Sequence, residues 1–355
     1  MKAFEQNIRK VEPYVPGEQP QRKVIKLNTN ENPYPPAPGV RKALEDMNVD
    51  NFRLYPDPTS SVLVKTLADY YGVNEEQVFV GVGSDDVLAM CFLTFFNSDK
   101  PILFPDITYS FYKVWAELYR IPYECPKVDE ELRIVKEDYY KANGGVIFPN
   151  PNAPTSIYEG LDFVEDILKH NQDVIVIVDE AYIDFAGESA IKLVDKYDNL
   201  IVVQTFSKAR SMAGMRIGYA IANPMLIKYL NDAKYSFNSY TMNQPSLICG
   251  VEAVTDKEYF EKHVELIKET REWTKQELRK LGFTFPDSKS NFLFVTHEAY
   301  DAKQLFEALK KEDIYVRYLS GERTKNYLRI TIGTKAEMER CVEVLSACIN
   351  IDIQR

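Results

Sequence analysis

Lys208 stands in the string Gln204-Thr205-Phe206-Ser207-Lys208, directly after the apolar run 201–203. A lysine released at the end of a buried strand can bond covalently to an aldehyde, and Thr205, Ser207 and the following Arg216 offer donors to a phosphate. The competing reading, a surface lysine after a strand, leaves those three residues unrelated. Upstream, the run 174–178 delivers Asp179 to the carboxyl end of another strand, where open α/β sheets build their sites. An acid there can pair with a protonated ring nitrogen, which lets the ring draw electrons from a carbanion. Tyr182, three residues on, is placed to bond a phenolic oxygen of the same ring. The string Asp179-Glu180-Ala181-Tyr182 by itself also fits a helix N-cap.

An aldehyde, a phosphate and an electron-withdrawing ring together describe pyridoxal phosphate. The proline-rich stretch Phe148-Pro149-Asn150-Pro151-Asn152-Ala153-Pro154-Thr155 cannot continue the strand before it, so it forms a loop at the same sheet edge. There Asn152 can share the phenolic oxygen with Tyr182, or belong to an ordinary Asn-Pro turn. The turn Gly81-Val82-Gly83-Ser84-Asp85 opens a helix whose N-terminus can face an anion, although a plain tight turn accounts for it equally.

The elements that must hold these residues follow from periodicity. Apolar runs at 102–104, 145–148, 174–178 and 201–203 alternate with helical stretches, and runs apolar on both faces predict a largely parallel sheet buried between helix layers. Val62, Leu63, Leu67 and Tyr70 predict a helix ending at Gly72, with a short strand at 77–81. After residue 245 the pattern changes. A capping box at Thr255 and Glu258 opens a long amphipathic helix ending near Gly282, followed by strand 291–295, a helix around 305–309, strand 327–332 and a second capping box at Thr334 and Glu337. The expected division is an N-terminal arm with part of the small domain (1–44), a large α/β domain (45–245) and a small α+β domain (246–355). Residues 14–38 carry too many prolines for a helix or a central strand and form an extended arm, either a linker or a loop over the site.

A chain of 355 residues with 45% apolar and 27% charged residues folds as more than one core, and its net charge of −10 opposes nucleic acid and anionic membranes as partners. The most apolar segment, 87–96, is too short to span a bilayer, and the reading is of a soluble cytoplasmic protein. Five cysteines without metal-ligand spacing are expected to be reduced core residues, three histidines lack a paired nucleophile, and no metal site is expected.

In this order the motifs resemble the class I and II aminotransferases of the type I pyridoxal-phosphate fold, and among them most resemble the histidinol-phosphate aminotransferases. The resemblance covers nearly the whole chain and rests also on Asn30-Glu31-Asn32-Pro33-Tyr34, Tyr55-Pro56-Asp57 and Leu328-Arg329-Ile330-Thr331-Ile332-Gly333-Thr334. It implies that Lys208 forms the Schiff base, Asp179 pairs with the ring nitrogen, Asn152 and Tyr182 bond the phenolic oxygen, and Tyr109 stacks on the ring. The phosphate falls to the amides of Ser84 and Asp85, to Thr205, Ser207 and Arg216, and to Tyr55 of a second subunit, so a homodimer with shared sites is implied. Arg329, helped by Arg317, Tyr14 and Asn32, is then expected to bind the carboxylate of glutamate in one half-reaction and the phosphate of histidinol phosphate in the other, with 2-oxoglutarate and imidazole acetol phosphate as the keto partners. The chain departs from the family pattern at Ala153 and Ser156, where a second asparagine and a glycine are usual. An aromatic or broad-range amino acid aminotransferase and a phosphothreonine decarboxylase-like enzyme share the same motifs. A noncatalytic cofactor-binding regulator would need a DNA-binding segment, for which these residues offer no candidate.

Overall fold

The computed structural model describes residues 2–353; Met1 and residues 354–355, at the outer edges of the first and last expected segments, lie outside the described residues. Its strands are β1 (Ile25–Lys26), β2 (Val78–Gly81), β3 (Ile102–Leu103), β4 (Tyr123–Glu124), β5 (Val146–Pro149), β6 (Val176–Asp179), β7 (Leu200–Thr205), β8 (Gly218–Ala222), β9 (Phe283–Thr284), β10 (Phe292–His297), β11 (Ile314–Tyr315), β12 (Arg317–Tyr318) and β13 (Leu328–Thr331). The longer helices are α1 (Pro38–Glu45), α2 (Ser61–Tyr71), α3 (Gly83–Phe95), α4 (Phe111–Tyr119), α5 (Leu161–His170), α6 (Pro224–Phe237), α7 (Gln244–Thr255), α8 (Lys257–Lys280), α9 (Ala302–Lys311) and α10 (Lys335–Ile353).

Seven strands form one sheet in the order β2-β8-β7-β6-β5-β3-β4, parallel except where β8 pairs antiparallel with β2 and β7. Alternation within the apolar runs explains why they are continuous. Val146, Phe148, Val176, Val178, Leu200 and Val202 enter one core, whereas Ile147, Ile177, Ile201 and Val203 enter the core on the opposite face with α3, α4 and α6. Strands covered on both faces must be apolar at every position. This is the type I architecture expected from the sequence. A four-stranded antiparallel sheet, β12-β13-β10-β9, packs with α8, α9 and α10 around a separate core, and β1 of the arm pairs with β11.

Three details differ from expectation. The capping box read at Thr255 does not form, because Thr255 closes α7 with its hydroxyl donating to the Val251 carbonyl, and Asp256 caps α8 by accepting from the Tyr259 amide. Helix α7 lies beyond the expected boundary at 245, yet its Leu247, Cys249 and Val254 join the core of the large sheet. Cys125 is exposed, on the polar segment after β4, whereas Cys91, Cys249 and Cys341 are buried. The second capping box forms as read: Thr334 N donates to Glu337 at 2.7 Å and the Glu337 amide returns a bond to Thr334 Oγ1 at 3.4 Å. Among the described residues no helix is long and apolar enough to cross a membrane, and no cluster of three or more His, Cys, Asp or Glu residues is suited to a metal ion.

Candidate active site

The carboxyl ends of β5, β6 and β7 deliver Pro149, Asp179 and Thr205 to the wall of one cavity of about 410 Å³, which also receives Ser84, Asp85, Tyr109, Tyr182, Ser207, Lys208 and Arg216. Chain segments far apart in sequence meet here because parallel strands all end on the same sheet edge. Lys208 Nζ donates to the Thr29 carbonyl at 3.1 Å and lies 5.8 Å from the centre of the Tyr182 ring. Burial, and next the neighbouring Arg329, bring its ammonium down to about 8. The amine therefore reaches its nucleophilic form at far lower pH than an exposed lysine.

Asp179 is 4% exposed, and burial raises its carboxyl to about 6. Two donors oppose that rise: the Tyr112 hydroxyl at 2.7 Å and the Ala181 amide at 3.2 Å. A carboxylate so enclosed favours a cation beside it, which suits a protonated ring nitrogen. The Tyr182 hydroxyl accepts from Asn30 Nδ2 at 2.8 Å, and burial moves it above the ordinary tyrosine range. Tyr109, just before α4, lines the cavity and donates to Asp85 at 2.8 Å.

An anion cradle occupies one end. Ser84 and Asp85 lie in the first turn of α3, whose free amides attract negative charge. Strand β8 approaches that turn so closely that a Cβ on Gly218 would sit 2.3 Å from Ser84 N and from the Gly83 carbonyl carbon, so only glycine fits. Arg216 lies 3.6 Å from Asp85 and donates to Ser207 Oγ at 3.4 Å, while Thr205 Oγ1 donates to the same hydroxyl at 3.0 Å. Of the two arginines after Lys208, Arg210 turns away: it is buried among Tyr70, Phe206 and Phe260 and donates to the Ala253 carbonyl at 2.7 Å.

A second cavity of about 500 Å³ shares Tyr14, Tyr109, Ala153 and Tyr182 with the first and adds Arg317, Arg323 and Arg329. Arg317 and Arg329 stand directly opposite each other on β12 and β13. Like charges in cross-strand register repel, so the pair would gain from an anion placed between them. Arg329 Nε is buried without a hydrogen-bond partner, although its NH2 donates to the Asn28 carbonyl at 2.9 Å. Arg317 donates to Val15 of the arm at 3.0 Å, and Tyr14 stacks on Phe111 at 4.4 Å, so the arm lies along both cavities.

Three of the expected residues line neither cavity of their own chain, and for Tyr55 that agrees with a role in a second subunit. Tyr55 is 79% exposed, stacks on Tyr240 and lines neither cavity of its own chain. Asn32 faces the lysine segment from behind, donating to the carbonyls of Lys208 and Ala209 and accepting from the Tyr34 amide, so its side chain is fully engaged by the protein. The Asn152 amide is buried, donating to the Ile107 carbonyl at 2.9 Å and to Thr155, and accepting from Thr108 at 3.0 Å. Ser156, where the family usually has glycine, adopts φ +65°, a left-handed conformation that glycine enters without strain. Sequence reasoning missed Tyr112, Asn30, the Thr29 carbonyl and Arg323. Asn30 lay in a string already singled out; no sequence signal marks Tyr112, which meets Asp179 only through the packing of α4 on the sheet. His170, His263 and His297 line neither cavity, and each ring bonds a backbone carbonyl.

The aminotransferase class I and II family matches residues 22–345. The chain is 50% identical over 352 residues to the histidinol-phosphate aminotransferase of Clostridium botulinum strain Okra, covering 99% of both chains. It is also 50% identical over 352 residues to the enzyme of the same name from Brachyspira hyodysenteriae, with 98% of this chain and 99% of that one covered. Among solved structures it resembles histidinol-phosphate aminotransferase from Sinorhizobium meliloti in complex with pyridoxal-5'-phosphate, at TM-score 0.84, 22% identity and coverage of 93% and 92%. The Clostridium acetobutylicum enzyme of that name aligns with TM-score 0.85 at 23% identity, covering 92% and 99%.

Proposed function

Because the chain belongs to the aminotransferase class I and II family, and within it to the histidinol-phosphate aminotransferases, we infer that it is a pyridoxal-phosphate enzyme of histidine biosynthesis. It interconverts histidinol phosphate plus 2-oxoglutarate with imidazole acetol phosphate plus glutamate, the amino group passing from the amine to the keto acid. The observation that carries the reading is one cavity holding a lysine with a lowered pKa, a buried aspartate and a helix N-terminus with an arginine beside it, next to a second cavity with two opposed arginines.

The residues present fit the cofactor. The close approach of Gly218 to the first turn of α3 leaves a bare backbone cradle for a phosphate, held further by Thr205, Ser207 and Arg216. Asp179, at the end of the neighbouring strand β6, would take the ring nitrogen, Tyr182 the phenolic oxygen and Tyr109 a ring face, with Asn152 steadying the loop beside it. When bound, the cofactor supplies an electron sink for the bond being broken at the substrate's Cα. Lys208 Nζ would be the base that removes the Cα proton once the amino donor takes its place on the cofactor; burial brings its pKa down to about 8, so a larger share of it is unprotonated near neutrality than of an exposed lysine. Tyr112 and the Ala181 amide hold the Asp179 carboxylate in place through the cycle. Arg329 and Arg317 orient the substrate's distal anion, a carboxylate or a phosphate, since a guanidinium forks onto either.

We further propose a homodimer in which the exposed Tyr55 completes the phosphate site of the partner, acting in the cytoplasm. The decisive experiment is the visible spectrum of the purified protein before and after histidinol phosphate, with phenylalanine as comparison. Bleaching by histidinol phosphate and little by phenylalanine supports the reading. Equal or greater bleaching by phenylalanine would move the substrate assignment to an aromatic aminotransferase and leave Lys208 in its role.

A further inference from the structure

We propose that Arg323 is a specificity-determining residue, a third guanidinium that favours a phosphate dianion over a carboxylate in the outer cavity; this rests on the substrate reading above. One cavity has to accept two distal anions of different charge. The facing pair Arg317 and Arg329 can take a singly charged carboxylate in the forked manner. A phosphate monoester brings close to two negative charges and more acceptor oxygens, so it gains more from an additional cation.

Arg323 supplies that cation from the turn between β12 and β13. It lines the cavity together with Thr324, Ser110 and Thr108. Its position is fixed rather than free, because NH1 pairs with Asp106 Oδ2 at 2.6 Å and NH2 donates to the Val128 carbonyl at 2.9 Å. Asp106 is itself held by the Val128 amide at 2.9 Å. The cavity's acids are Asp106 and Glu322, so its charge is set by three arginines against two carboxylates. Removing Arg323 leaves Asp106 uncompensated at the wall, which penalises a dianion more than a monoanion. Removing the charge of Asp106 does the reverse.

The opposite signs make the test. Single-turnover bleaching of the holoenzyme by histidinol phosphate and by glutamate is measured for wild type, Arg323→Gln, Arg323→Lys and Asp106→Asn. In Arg323→Gln the half-saturating concentration of histidinol phosphate is expected to rise about tenfold, as for loss of one charge-assisted hydrogen bond, and that of glutamate by less than about threefold. Arg323→Lys should recover part of the loss, and Asp106→Asn should tighten histidinol phosphate about two- to threefold. If Arg323→Gln and Asp106→Asn weaken both substrates by the same factor, the ion pair is only a tie between segments and the proposal is overturned. No change in either substrate overturns it as well. If the wild type reacts with glutamate but not with histidinol phosphate, the substrate reading itself fails, and the role of Arg323 falls with it.

Discussion

Replacing Lys208 with methionine, which keeps side-chain length and removes the charge, is expected to stabilise the cofactor-free protein near neutral pH while abolishing transamination. Burial lowers the ammonium from an ordinary 10.5 to about 8. At about 1.4 kcal/mol for each pH unit, the folded protein bears a charging cost of about 3 kcal/mol below pH 8. The recess opens onto a cavity, which weakens that cost, and the bond from Nζ to the Thr29 carbonyl at 3.1 Å is lost with the lysine, which takes back about 1 kcal/mol. A net gain of about 2 kcal/mol remains. Because the folded pKa is depressed, the unfolded chain holds the proton between about pH 8 and 10.5 and the folded chain does not. Wild-type stability therefore rises with pH across that window, and the advantage of methionine shrinks over the same range. Urea unfolding of cofactor-stripped wild type and Lys208→Met, followed by circular dichroism at pH 7, 9 and 10, reads both effects. A variant less stable than wild type at pH 7, or a difference that stays constant from pH 7 to 10, would refute the account of Lys208 as a buried, strained cation.

Gly218→Ala is expected to weaken cofactor binding at least about tenfold in a spectral titration, since a Cβ 2.3 Å from Ser84 N must push β8 away from the first turn of α3; unchanged affinity would remove that turn from the phosphate site. Asp179→Ala should loosen cofactor retention on gel filtration and slow removal of the Cα proton, with a primary isotope effect in deuterated glutamate; normal values for both would exclude it from the site. Mixing inactive Lys208→Ala with Tyr55→Ala protein should restore up to about a quarter of wild-type activity, because one site of each mixed dimer is intact; no recovery after subunit exchange would argue against a shared site.

The parts of the site attached to a pattern along the chain were legible in the sequence. Lys208 and Asp179 follow apolar runs of strand length, and a parallel sheet brings the ends of such runs to one edge whatever the loops between them do; Asn152 follows such a run too, but its side chain is held by Ile107 and Thr155 outside both cavities. Arg216 was identified by its nearness to that lysine; Arg210 lies nearer along the chain, and only packing sends it away from the cavity. Asn30 and Asn32 lie two residues apart in one string, and the structure turns the first to the Tyr182 hydroxyl and the second to the carbonyls behind Lys208. The misread capping box has a similar cause, since Thr255 and Asp256 are both good caps and the bend between α7 and α8 decides which of them serves.

Local spacing and the alternation of strands and helices, which depend only on neighbouring residues, determined the fold class and marked Lys208 and Asp179 as candidates, whereas the ending that carries Arg329 stood out by its resemblance to a family. Long-range packing alone decided that Tyr112 restrains Asp179 and that Arg317 stands opposite Arg329. It also brought Arg323 and Asp106 together at one cavity wall from 217 positions apart. Those contacts join segments whose separation along the chain carries no periodic signal, and burial in the assembled fold is what brings Lys208 down to about 8 and Asp179 up to about 6.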